Sequence, residues 1–222
     1  MDLSLFTSMG HAITLTLGYA VIGGSIKYID QAFDIEIFNK NIAKLLAIPT
    51  AVLMALFMAL NDSSATIFFA IIFGLALTKK IDNIAFQVGL FFLIMVPVFF
   101  GEYVKVEWLP FAILLVGCIA DEYTNDWSDN KIKKRLIDEA LGKKTPTTLK
   151  HQILEALFQH RVIMKILVLL LVLTGIFAPI YIIAFLAFDF TYKAVEIYSL
   201  KLKKYGINKN LKPNHKMATT AV

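Results

Sequence analysis

"WLPFAILLVGCIADEYTNDWSD", Trp108 to Asp129, passes without a break from an uncharged, apolar run into four acidic side chains within nine positions. The apolar part, Trp108 to Ala120, has 13 residues, whereas a helix that crosses a bilayer needs about 20. A spanning helix that starts at Trp108 must therefore continue about seven residues further, which carries Asp121, Glu122, Asn125 and Asp126 to membrane depth. On such a helix Glu122, Asp126 and Asp129 stand at i, i+4 and i+7, on one face. Like charges aligned in this way repel unless a cation or a basic group joins them.

The rest of the chain sets the same environment. Of 222 residues, 58% are hydrophobic and 18% charged, and the mean hydropathy is +0.67, outside the range of soluble globular domains. Nearly uncharged runs cover Leu3 to Ile26, Leu45 to Leu60, Ser63 to Thr78, Ile84 to Gly101 and Trp108 to Ala120, separated by short polar connectors such as "NDSS" and "TKKIDN". The apolar character returns from Ile153 to Leu200, too long for one span, and a glycine and a proline in "TGIFAP", Thr174 to Pro179, mark a break. The expected fold is all-α, a polytopic integral membrane bundle of about seven transmembrane helices, with six as the other count. Residues 1–222 form a single membrane domain in this reading. An amphipathic cytoplasmic connector is expected at about 121–152, with a helix to Leu141, a stop at Gly142 and a new helix start at "TPTT". A basic cytoplasmic tail follows at about 201–222.

Basic residues orient the bundle, because lysine and arginine accumulate in cytoplasmic connectors. With seven spans and the N-terminus outside, Lys105 is the one member of 22 lysines and arginines left on the outer face. Six spans divide the charge poorly. The tail "KLKKYGINKNLKPNHK" would then lie against the anionic inner leaflet of the cell membrane. Orientation accounts for the net charge of +5, so no nucleic-acid partner is expected; membrane lipids are, and an oligomer remains open. The first 24 residues carry no basic n-region and read as a retained span. Cys118 is the only cysteine, which excludes an intramolecular disulfide and a cysteine-based metal site.

A second acidic pair stands where the first span ends: "KYIDQAFD" puts Asp30 and Asp34 at i and i+4, with Lys27 a turn earlier. Topology brings both clusters to the cytoplasmic face. Carboxylates converging at a bilayer surface suit Mg²⁺ shared with a phosphorylated ligand, since the ion takes oxygen ligands, keeps waters and is completed by phosphate. The candidate metal ligands are Asp30, Asp34, Glu122, Asp126 and Asp129, with Asn125, Asp126 and Asp129 as the candidate catalytic group. Arg161, Lys165, Lys79, Lys80 and Lys27 are the candidate phosphate-binding cations. The plainer alternatives are helix-end carboxylates that cap, pair with lysines or face water, and close packing of another helix at Gly23 and Gly24.

The acidic motifs resemble those of the UbiA-type intramembrane prenyltransferases. "NDWSD" follows that family's N-D-x-x-D pattern in Asn125, Asp126 and Asp129, with Lys133 at its last acidic position, and "DQAFD" follows the D-x-x-x-D pattern at Asp30 and Asp34. The family has about nine spans and the opposite motif order. What the resemblance implies is a transferase in which Mg²⁺ and carboxylates hold a prenyl diphosphate at the cytoplasmic face. The residues alone support a broader expectation, an enzyme handling a phosphorylated lipid. A small-ion or solute transporter that uses the membrane-depth carboxylates is the second reading, and a noncatalytic membrane scaffold the third.

Overall fold

The computed structural model describes residues 3–81, 83–100, 104–141, 155 and 161–210. Among them all regular structure is helical, in seven helices: α1 Leu3–Asp34, α2 Lys40–Leu60, α3 Asp62–Leu77, α4 Ile84–Phe100, α5 Trp108–Ala140, α6 Val162–Leu173 and α7 Ile180–Asn210. Two of them, α1 from Met9 onward and α2, are long and apolar enough to cross a membrane; α3, α6 and the first part of α4 are shorter apolar helices.

The boundaries follow local chemistry. Asn39 caps α2, its side-chain oxygen accepting from the Asn41 and Ile42 amides at 2.8 and 3.4 Å. The α3 terminus closes with Lys79 at φ +58° and with the Lys80 amide donating to the Leu75 carbonyl at 2.9 Å, a Schellman-type end in which lysine stands where glycine is usual. The break expected at Thr174–Pro179 is present: α6 stops at Leu173, Gly175 turns the chain at φ +75°, and α7 starts at Ile180. Between Ala120 and Ala140 there is neither glycine nor proline, so α5 runs through the acidic motif and the following amphipathic stretch as one helix of 33 residues. No separate connector helix begins there. Gly142 and "TPTT" lie outside the described residues, as does the tail beyond Asn210.

α1 packs most extensively on α7, α3 on α5, and α2 on α4 and α1. The α1–α7 seam is close: a Cβ on Gly23 would lie 2.2 Å from the Phe188 carbonyl oxygen, so no other residue fits there without moving a backbone. Nearby the Thr191 hydroxyl donates to the Ala20 carbonyl at 2.6 Å, and further along the Ser199 hydroxyl donates to the Gln31 side chain at 2.8 Å.

The core is a mainly apolar layer in which Leu15, Ile22, Phe68, Leu114 and Val168 are fully buried, with the Tyr19 hydroxyl donating to the buried Ser64 hydroxyl at 3.0 Å. Large apolar side chains also cover the outside: Leu60 is 75% exposed, Leu173 71% and Phe190 73%. Three charged residues, Lys27, Asp121 and Glu122, are buried.

Candidate functional site

Three helices outrun the apolar layer at the same end of the bundle: the last turns of α1, the second half of α5 and the second half of α7. Between them, α2, α3 and α4 lies a cavity of about 450 Å³. Asp30 and Asp34 reach it from α1, and Glu122, Asn125, Asp126 and Asp129 from α5. Lys27, Lys80 and Arg161 supply cations to the same lining. α1 and α5 thus share this cavity without packing closely on each other.

Each acidic residue of the opening stretch has its own circumstance. Asp121 accepts the amides of Ile163 and Met164 at 3.0 and 2.7 Å, one on each carboxylate oxygen. It therefore caps α6 from a neighbouring helix, satisfying donors that no local cap residue covers, since Arg161 at φ +46° makes no side-chain cap bond. The Glu122 side chain, 2% exposed, pairs with Arg161 at 3.0 Å. Asp126 accepts from Lys80 at 2.5 Å, in a pair open to water on both sides. Such a pair is worth at most about 1 kcal/mol and exchanges partners cheaply. Asp129 is exposed at the cavity rim, as is Asp34. On α1, Lys27 binds Asp30 at 2.6 Å and approaches Glu196 of α7 at 3.8 Å.

Two of the candidate cations stand elsewhere. Lys79 is exposed and does not line the cavity, because its left-handed backbone ends α3. Lys165 is absent from the lining and faces Asp189, which does line the cavity, at 2.8 Å.

Sequence reasoning missed the contribution of α7. Asp189, Tyr192, Lys193 and Glu196 all reach the lining. Their spacing of three, one and three puts them on one helical face, a signal present in "DFTYKAVE" but carried by a mixed set of residue types and not by a carboxylate pair at i, i+4. Lys193 pairs with Glu196 at 2.5 Å. Tyr192 holds two cations at its ring, the Lys27 ammonium 4.9 Å and the Arg161 guanidinium 5.5 Å from the centroid.

The lining changes character with depth. Ala47 and Met54 lie seven and fourteen residues into α2, about 10 and 21 Å along its axis, and both face the cavity with Thr50, Ala51, Leu90 and Leu93. The cavity therefore has a charged mouth and an apolar floor, the shape that suits an amphiphile. Eight carboxylates and four basic groups line it, a formal charge of −4. An anion entering alone is repelled by that field, and a cation or a cation–phosphate complex is not. Among the described residues no three carboxylate, histidine or cysteine side chains form a group able to hold a metal ion by themselves. A magnesium ion fits only with a shell completed by water and phosphate, as is usual for it.

The chain matches no protein-family model, no curated protein and no solved structure.

Proposed function

We propose that this chain is a multi-pass cell-membrane protein of seven spans, N-terminus outside, whose cytoplasmic-side cavity binds a phosphorylated lipid with Mg²⁺ and transfers its prenyl or lipid group. The observation that carries the reading is a cavity that joins a charged mouth to an apolar floor. Its net negative charge calls for a divalent ion beside any diphosphate. Exposed leucine and phenylalanine around buried charge suits a hydrocarbon surrounding, where polar groups turn inward. In this reading Asp126, Asp129 and Glu122 of α5 and Asp30 and Asp34 of α1 orient the ion on facing walls, and Asn125 donates to a phosphate oxygen. Bound Mg²⁺ supplies charge neutralisation for a departing diphosphate. Arg161, fixed by Glu122 and by the ring of Tyr192, is the anchored cation; Lys80, in its open pair with Asp126, is the mobile one. A prenyl diphosphate is the ligand that the likeness of "NDWSD" and "DQAFD" to the UbiA-type enzymes suggests.

A transporter would need a polar path through the layer that holds Leu15, Ile22, Phe68, Leu114 and Val168, where among the described residues no charged side chain is buried and the Tyr19–Ser64 hydroxyl pair is a polar contact. A scaffold would leave the lining carboxylates dispensable. The deciding experiment is Asp126→Asn in purified, reconstituted protein. Loss of Mg²⁺-dependent turnover of a prenyl diphosphate with folding retained supports the enzyme. Ion flux through liposomes in wild type, with no binding or conversion of phosphorylated lipids, sinks it.

A further inference from the structure

Three basic side chains of the cavity lining each sit on a carboxylate of the proposed metal set: Lys27 on Asp30 at 2.6 Å, Arg161 on Glu122 at 3.0 Å and Lys80 on Asp126 at 2.5 Å. Two of them are held from more than one side. Lys27, with its side chain 9% exposed, also approaches Glu196 at 3.8 Å, and Lys27 and Arg161 both lie over the ring of Tyr192. Lys80 is held differently. Its backbone is fixed at the end of α3 by the amide bond to the Leu75 carbonyl, while its side chain crosses to α5 in a pair that stays open to water, 36% exposed on Lys80 and 48% on Asp126.

The place that this ammonium fills is one that a metal would use. Glu122 and Asp126 stand one helical turn apart on α5, and the Lys80 charge acts on both, by contact on Asp126 and at longer range on Glu122. A divalent ion shared by these carboxylates must therefore compete with Lys80. Lysine suits such an exchange, because its charge is a compact point on a flexible four-carbon stem, without the two-point grip by which arginine holds a carboxylate.

We propose that Lys80 is an internal counter-ion that yields Asp126 to a divalent ion and then turns to a phosphate oxygen, so that Mg²⁺ and diphosphate bind as linked events. This handover rests on the reading of the cavity as a Mg²⁺–phosphate site and supplies its control. Mg²⁺ alone must displace Lys80 from Asp126, and diphosphate alone must draw Lys80 away from Asp126. When both bind, that cost is met once, and each ligand tightens the other by the same factor. The open Lys80–Asp126 pair sets the size of this contribution at about fivefold, the ceiling for an exposed ion pair. A lysine that is merely nearby would change each affinity separately and leave their coupling alone.

The test uses full-length protein in detergent and equilibrium dialysis at fixed free Mg²⁺ and free inorganic diphosphate. Each affinity is measured alone and with the other ligand saturating. Lys80→Met should bind Mg²⁺ alone up to about fivefold more tightly, bind diphosphate more weakly, and lose about fivefold in the coupling factor. A gain in Mg²⁺ affinity does not arise from misfolding. Lys79→Met removes the adjacent charge, which is exposed and outside the lining, and should keep the wild-type values. Lys80→Met that retains the wild-type coupling, or Lys79→Met that changes Mg²⁺ affinity as much as Lys80→Met, overturns the handover. Wild type that binds both ligands without coupling overturns the handover alone. Wild type that does not bind diphosphate at any Mg²⁺ concentration overturns the Mg²⁺–phosphate reading with it.

Discussion

Replacing Gly23 by alanine adds one methyl group at the closest approach of α1 and α7. Its Cβ would sit 2.2 Å from the Phe188 carbonyl oxygen and 2.8 Å from the carbonyl carbon. Both obstacles are backbone, so no rotamer change relieves them and the helices must part by about 1 Å to reach ordinary contact. Overpacking of this kind costs about 1–3 kcal/mol. The same movement stretches the Thr191 to Ala20 hydrogen bond, now 2.6 Å, out of good geometry, at about a further 1 kcal/mol. Against this stands the helix preference for alanine over glycine, about 1 kcal/mol at most. The net loss is about 2 kcal/mol. At the adjacent Gly24 the nearest atom to a new Cβ is Thr191 Cβ at 3.6 Å, an ordinary contact, so Gly24→Ala should be neutral or stabilising by up to about 1 kcal/mol. Unfolding of the purified full chain in mixed detergent micelles, followed by circular dichroism, measures both. A Gly23→Ala protein as stable as Gly24→Ala would refute the described seam.

Arg161→Met takes from the buried Glu122 carboxylate its ion-pair partner and should cost about 1–3 kcal/mol, below the range for a fully buried pair because the Arg161 side chain is a third exposed, with most of it recovered in the Arg161→Met, Glu122→Gln double variant. Unfolding midpoints of the two variants check this, and a single variant that melts with wild type contradicts the pair. For topology, cysteine introduced at Lys105 in a Cys118→Ala background should react with an impermeant maleimide on intact cells. Cysteine at Lys209 should react only after permeabilisation, and labelling of position 209 from outside removes the seven-span arrangement.

Helix existence was legible because apolar runs and their punctuation are local properties: the Gly175–Pro179 break and the start at Trp108 are both written in short stretches. The continuity of α5 was half legible. Its spanning length required helix through Asp126, yet the change to amphipathic character near Lys131 suggested a new element where no breaker exists. The partners of the acidic residues were not legible. Whether Asp121 caps a helix or faces a ligand depends on where Val162 begins α6, a contact across some 40 residues that no spacing encodes. The roles of Lys79 and Lys80, adjacent in sequence, separate only because the αL turn at Lys79 sends one outward and the other toward Asp126. Likewise Gly23 and Gly24 look equivalent in the chain, and only the position of Phe188 distinguishes them.

The central claim is that carboxylates of α1 and α5 hold a divalent ion together with a diphosphate in one cavity. Crystals or frozen grids of the full chain with Mn²⁺ in place of Mg²⁺ and a prenyl diphosphate test it most directly, since Mn²⁺ is locatable by its anomalous scattering or strong density. The account predicts metal between the Asp30–Asp34 side and the Asp126–Asp129 side, bridged by phosphate oxygens, with the lipid chain toward the apolar floor at Met54 and Leu93. Metal found elsewhere, or a diphosphate bound away from these carboxylates, would contradict it.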